Sequence, residues 1–189
     1  LAFPLNMARI LYLLTFLLAT TPVFAQHLFE LKKGVVEFIS DAPLEVITAR
    51  SKKLNGILDL SKKQFAFKVE LRSFDGFNNA MQKGHFNENY MESNTYPQAV
   101  FKGKIIEDID PEHKGTITVR AKGKFIVHGV EQERIIPVTL KIGDNHSISV
   151  SGKFSVMLVD HNIKIPKVVI EKLSPEIWVT VTGVLTEKD

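Results

Sequence analysis

Four places in the sequence hold side chains that could do chemistry. His85 and Glu88, in Gly84-His-Phe-Asn-Glu-Asn-Tyr90, stand three apart and would be neighbours on one side of a helix. With Tyr90 close by they have the types needed for a metal-ligand pair or for acid/base work. A metal site wants three or four converging ligands, and no second paired motif elsewhere in the chain completes the set. Asp160-His161 has the composition of a catalytic dyad, yet neighbours along a strand point to opposite faces and cannot easily orient one another. No serine sits in a Gly-x-Ser-x-Gly setting and there is no cysteine, which removes the usual nucleophiles, disulfides and thiolate-bound zinc. His128-Gly129-Val130-Glu131 reads as a hairpin turn between two strands. Asn145-His146-Ser147 matches a glycosylation acceptor formally and reads as a turn. The expectation is no catalytic residue, no metal and no cofactor.

The elements around these residues are strands. Phe65, Phe67, Val69 and Leu71 alternate with Ala66, Lys68, Glu70 and Arg72, a period of two with one dry and one wet face. The same alternation puts Val119, Ala121, Gly123, Phe125 and Val127 on one face, then Ile136, Val138, Leu140 and Ile142. It returns at Ile148, Val150, Gly152, Phe154 and Val156, and at Ile177, Val179, Val181, Gly183 and Leu185. Ala99, Phe101, Gly103 and Ile105 start a strand directly after Pro97, which disfavours helical geometry in the residue before it. Less regular strands are expected around Val35–Ser40, Leu44–Ser51 and Leu54–Leu60. Only Phe74–Ser93 breaks the alternation, with Phe77, Met81, Phe86, Tyr90 and Met91 able to line one side of a helix interrupted near Gly84. The stretch therefore reads as a joint of helix, proline turn and strand. The sum is an all-β, antiparallel fold of about eight strands, an up-and-down barrel or a sandwich, with one short helical segment near 74–93.

The 189 residues suffice for one domain with a real core, and 44% hydrophobic with 24% charged residues is ordinary for a folded chain. Met7-Ala-Arg9, the apolar run Ile10–Ala19 and the small residues of Val23-Phe-Ala25 have the form of a signal peptide cut before Gln26. Leu1–Asn6 are then upstream leader, and residues 26–189 a single domain, periplasmic or secreted. The apolar run is shorter than the ~20 residues a spanning helix needs. Removing residues 1–25 takes away Arg9 and no acid, so the formal charge falls from +3 to +2. Lysines occur in scattered pairs with no basic block, so no nucleic-acid partner is expected. Trp178 falls on the outer face of its strand, able to cover an external apolar patch or the helix.

Gly103, Gly123, Gly152 and Gly183 all fall in mid-strand on the apolar face. Glycine there weakens a strand, so either the strands coil sharply at these points or missing side chains leave volume for a ligand. An eight-stranded barrel is about the size at which an interior either fills or keeps one small ligand. The candidate lining is Phe65, Phe67, Phe101, Gly103, Val119, Gly123, Phe125, Val138, Leu140, Val150, Gly152 and Phe154.

Three segments carry a family resemblance. Gly84-His-Phe-Asn-Glu-Asn-Tyr90 with Tyr96-Pro-Gln-Ala-Val-Phe101, Gly123-Lys-Phe-Ile-Val-His-Gly-Val130, and Phe154–Pro166 together resemble the YceI-like family of exported lipid-binding proteins. The resemblance implies a lipocalin-like antiparallel barrel around an apolar tunnel, a helix packed nearby, and a polyisoprenoid or similar amphiphile as ligand. An Arg-Asp pair expected before the helix's Phe is replaced by Met81-Gln-Lys-Gly-His85, and an Arg-x-Asp-Phe-Gly stretch by Val156-Met-Leu-Val-Asp160.

Three functions remain in competition. The first is an exported carrier or scavenger of a polyisoprenoid, quinone-like or fatty-acyl chain, with a membrane or a membrane protein as donor. Such a chain, burying several hundred Å2, would gain several kcal/mol at ~25 cal/mol per Å2 before entropy losses. The second is an interaction barrel with a filled core and no ligand. The third is an enzyme working near His85, Glu88 and Tyr90.

Overall fold

A computed structural model describes residues 27–143 and 147–188. The expected leader and the Asn145-His146 pair lie outside the described residues. Eight strands follow in order: β1 (Leu28–Asp41), β2 (Val46–Asp59), β3 (Gln64–Glu70), β4 (Gln98–Ile105), β5 (Gly115–Val127), β6 (Val130–Ile142), β7 (Ser147–Met157) and β8 (Glu176–Glu187). Each pairs antiparallel with the next and β8 pairs with β1, so the sheet closes into an up-and-down barrel. The fold class read from the alternation is the one observed.

Two expectations shift at the N-terminal side. β2 is one strand of 14 residues where the sequence suggests two shorter runs. β1 begins at Leu28, earlier than Val35. The physical reason is that β1 slips register against β2 on both sides of Gly34, between Leu31, Gly34 and Val36. A bulge inserts an unpaired residue and breaks the period of two, although the strand itself continues.

The connections sort into two ends. At one end lie the start of β1, the β2–β3 turn, the β4–β5 loop and the end of β8. Here Phe29, Leu58, Ile148 and Leu185 are 2% exposed or less and close the barrel with their own side chains. At the other end lie the β1–β2 turn, the two-residue hairpin His128-Gly129 and two long connections. His128 and Gly129 have φ of 52° and 72°, the left-handed pair a tight hairpin needs to match strand twist. The first long connection carries a 3-10 turn (Leu71–Ser73), then helix α1 (Ala80–His85), which runs into a π-helical turn (Phe86–Tyr90). The second carries 3-10 turns at Leu158–His161 and Lys167–Val169. Asp160-His161 thus stands in a turn beyond β7, not in a strand.

An apolar cavity under an aromatic lid

Alternation puts half of every strand inside, and at the open end those side chains do not meet across the barrel. A cavity of about 560 Å3 results, within the range of small-molecule sites. Its walls are built from the inward positions of the strands. Ten of the twelve residues proposed from the sequence stand in that wall: Phe65, Phe67, Phe101, Val119, Phe125, Val138, Leu140, Val150, Gly152 and Phe154. The rings touch one another, Phe65 with Phe101 at 4.8 Å and Phe125 with Phe154 edge-on at 5.6 Å. Offset and edge contacts of this kind hold the rings in place against the cavity.

Gly103 and Gly123 stand outside the lining. They face one another across β4 and β5, and a Cβ on Gly103 would lie 2.1 Å from the Lys122 carbonyl oxygen. A Cβ on Gly123 would lie 2.2 Å from that of Lys102. These two glycines let the backbones approach; they create no ligand volume. Gly183 belongs to the lining, and there the end of the Leu31 side chain, 2.5 Å from where a Cβ would stand, takes the space. Gly152 differs, because a Cβ there would meet Val138 at 3.6 Å, an ordinary contact.

The first long connection covers the barrel end. Phe86 of the π-helical turn stacks on Phe38 of β1 at 5.4 Å, and Phe74 and Phe77 pack against both rings. Local hydrogen bonds hold this lid: the Asn79 side chain accepts from the Gln82 N–H at 2.9 Å, capping α1. The Gln82 amide then donates to Glu45 Oε1 at 2.5 Å, tying α1 to the β1–β2 turn. The second long connection adds Ile163, Val169 and Leu173 to the lining, and its end is fixed where the Ser174 N–H donates to Ser40 Oγ at 2.9 Å. Neither Phe38, Phe74 nor the Val169–Leu173 stretch stood among the residues singled out from the sequence. The four phenylalanines crowded into 74–101, and the apolar Val168-Val-Ile170 run in a connection, are the signals that could have found them.

Ionisable groups reach the cavity only from the open half. Glu45, Lys68, His85, Tyr90 and Lys172 belong to the lining, and all come from the strand ends or connections there. Burial holds the Tyr90 phenol above its ordinary pKa. His85 and Glu88 are both exposed, and Glu88 is not part of the lining. Among the described residues, no three of His, Asp and Glu come together as a metal would need. The cavity can therefore hold an apolar body with a polar end at its mouth.

The YceI-like domain family matches residues 31–185, which spans all eight strands. The chain belongs to the YceI-like family. A polyisoprenoid-binding domain from Saccharophagus degradans implicated in plant cell wall breakdown is similar with a TM-score of 0.72 and 13% identity, covering 86% of this chain and 99% of that one. Burkholderia cenocepacia BcnA gives 0.65 and 17%, covering 80% and 95%. A Campylobacter jejuni YceI protein gives 0.59 and 14%, covering 100% and 99%. At such identities the likeness is one of fold. No curated protein matches the chain.

In this YceI-like domain the motif segments contribute Phe101, Phe125 and Phe154 to the cavity wall, and beside it Tyr96, His128, Gly129 and His161 form a joint. The Tyr96 ring packs edge-on to His128 at 4.8 Å and fills the space over Gly129, where a Cβ would lie 2.5 Å from it. His128 Nδ1 donates to the His161 carbonyl at 3.0 Å, and His161 Nδ1 to the Val130 carbonyl at 3.3 Å. His161 is fully buried against the edge of Phe125, and that burial holds its imidazole below the ordinary pKa. Asp160, its neighbour in sequence, is exposed. On the outer wall, Lys153 Nζ sits 5.3 Å from the centre of the Trp178 ring, a cation–π contact that accounts for an outward tryptophan.

Proposed function

We propose that this protein is an exported carrier or scavenger that holds a long apolar chain, polyisoprenoid, quinone-like or fatty-acyl, inside the barrel. The observation that carries the reading is the 560 Å3 cavity with phenylalanine and aliphatic walls, whose ionisable groups come only from its open half. Burial of apolar surface drives such binding, and packing alone discriminates weakly among methylene and isoprene chains. Family membership and the polyisoprenoid-binding fold neighbour support a binding protein over an enzyme. The interaction-barrel alternative needs a filled interior, and the open half is not filled. The leader pattern of residues 7–25 supports export, to the periplasm or beyond.

The test is native mass spectrometry of the protein produced with its leader in a bacterial host, followed by organic extraction. A stoichiometric long-chain molecule is expected. Gly152→Phe, which directs a ring into the cavity from a position with room for it, should abolish that molecule. A protein that emerges empty, and takes up no polyprenol, quinone or fatty acid added later, would sink the proposal.

A further inference from the structure

Exposed apolar side chains are ordinary when they are scattered, so their distribution is what carries information. Among the described residues the five most exposed large apolar side chains are Leu44, Met81, Val159, Val168 and Ile170, at 58–89%. All five belong to the connections of the open end, none to the closed end. Within this set Leu44 and Ile170 are neighbours, because the Leu44 N–H donates to the Glu171 carbonyl at 2.9 Å.

The second long connection is apolar on two sides at once. Val169 and Leu173 face the cavity, while Val168 and Ile170 between and beside them face outward. Folding stability explains the inward pair only. The flanks are basic: Lys164, Lys167 and Lys172 are exposed and make no ion pair with a described residue, and Glu171 is the only acid from residue 162 to 175. Apolar tips ringed by lysines are the combination that enters the headgroup region of an anionic bilayer, with the side chains inserted and the ammonium groups at the phosphates.

We infer that the open end is a docking surface for an anionic lipid bilayer, with Val168 and Ile170 as its inserting tip and Lys164 and Lys167 as its headgroup contacts. The surface is continuous with the cavity mouth through Val169 and Lys172, so a chain leaving the bilayer would pass to the cavity with little apolar surface crossing water. The inference rests on the proposed carrier function for its purpose and on exposure and charge for its evidence.

The test is flotation of the leader-free protein with protein-free vesicles of phosphatidylcholine, with and without phosphatidylglycerol. Binding is expected to the anionic vesicles and to weaken as salt is raised, because exposed charges are screened. Val168→Asp/Ile170→Asp should weaken it by more than about tenfold, since two apolar side chains lose their burial. Lys164→Glu/Lys167→Glu should remove the preference for phosphatidylglycerol. Both variants change exposed positions outside the cavity lining, so thermal unfolding should match the parent. Uptake of a polyprenol delivered from detergent micelles separates the two ideas: it should persist in both variants. Failure of that uptake in the parent would overturn the carrier function and leave vesicle binding to be judged alone. A parent that ignores anionic vesicles, as it would if its donor were a membrane protein, overturns the docking surface, and so does unchanged flotation of Val168→Asp/Ile170→Asp.

Discussion

The two ends of this barrel are made of the same residue types and do different things. At the closed end Phe29, Ile148 and Leu185 are fully buried in one apolar cluster and stand outside the cavity lining. At the open end Phe67, Phe101, Phe154 and Val179 stand on strands of the same barrel with the same alternation, yet remain partly accessible because they face a cavity. What separates the ends is what crosses them. The closed end is crossed by the β2–β3 turn and the β4–β5 loop, whereas the open end is spanned by two long connections that roof the lumen without filling it. A cavity in a small barrel can thus come from the length of its loops, with little change in the composition of its strands.

A matched pair of truncations exposes the difference most strongly. Phe29→Ala should cost about 3–5 kcal/mol, because it opens a void in fully packed surroundings. Phe154→Ala removes a ring that already borders empty space, so about half that or less is expected, mainly the lost edge contact to Phe125. Denaturant unfolding measures both, and equal costs would mean that the open end is as tightly packed as the closed one.

A second pair concerns glycines. Gly123→Ala drives a Cβ against the Lys102 carbonyl, which belongs to backbone and cannot swing aside, and should cost about 2 kcal/mol or more. Gly152→Ala points the same methyl into the cavity wall at an ordinary distance and should stay within about 0.5 kcal/mol of the parent. Thermal unfolding of the two variants side by side gives the answer. If both are neutral, β4 and β5 are not held as close as the carbonyl distances require.

These glycines also mark how far the sequence could be read. The strands with unbroken alternation, β3 and β5 to β8, were plain from it, as were the His128-Gly129 hairpin and the joint at Pro97. The wall positions followed, since a face is set by parity alone. Whether a mid-strand glycine makes room or permits contact depends on what stands opposite, and Gly103 meets Gly123 only once the register of β4 on β5 is known. The bulges around Gly34 hid β1 and β2 for the same reason. The lid was visible as a helix-period stretch rich in phenylalanine. Its partner Phe38 was not, because a contact between distant segments has no local periodicity.

A pH series probes the joint between the hairpin and the second long connection. Burial depresses the His161 pKa, so the folded protein keeps this imidazole neutral while the unfolded chain protonates near its ordinary value of 6.5. The contribution is fully present above that value and is lost as pH falls through it toward the folded pKa. Below about pH 6.5 the parent should therefore lose stability more steeply than His161→Gln, which can still donate to the Val130 carbonyl but does not titrate. Parallel pH profiles would show that protonation of this site is not coupled to unfolding.

The smallest change belongs to the lid itself. Asn79→Ala removes the side-chain cap of α1, a contact of about 1 kcal/mol, on a helix of only six residues that is held down chiefly by the Phe38, Phe74, Phe77 and Phe86 rings. Such a helix opens below the global unfolding energy, because few of its contacts reach the closed end. Amide exchange in residues 80–90 should accelerate about fivefold, and in parent and variant alike these amides should open at a lower free energy than those of β5 and β6. Equal opening free energies in the lid and in β5 and β6 would mean that lid and barrel unfold together. The lumen would then be reached only through global unfolding or past the second long connection, and the difference between the two ends would lie in packing alone, with no difference in local stability.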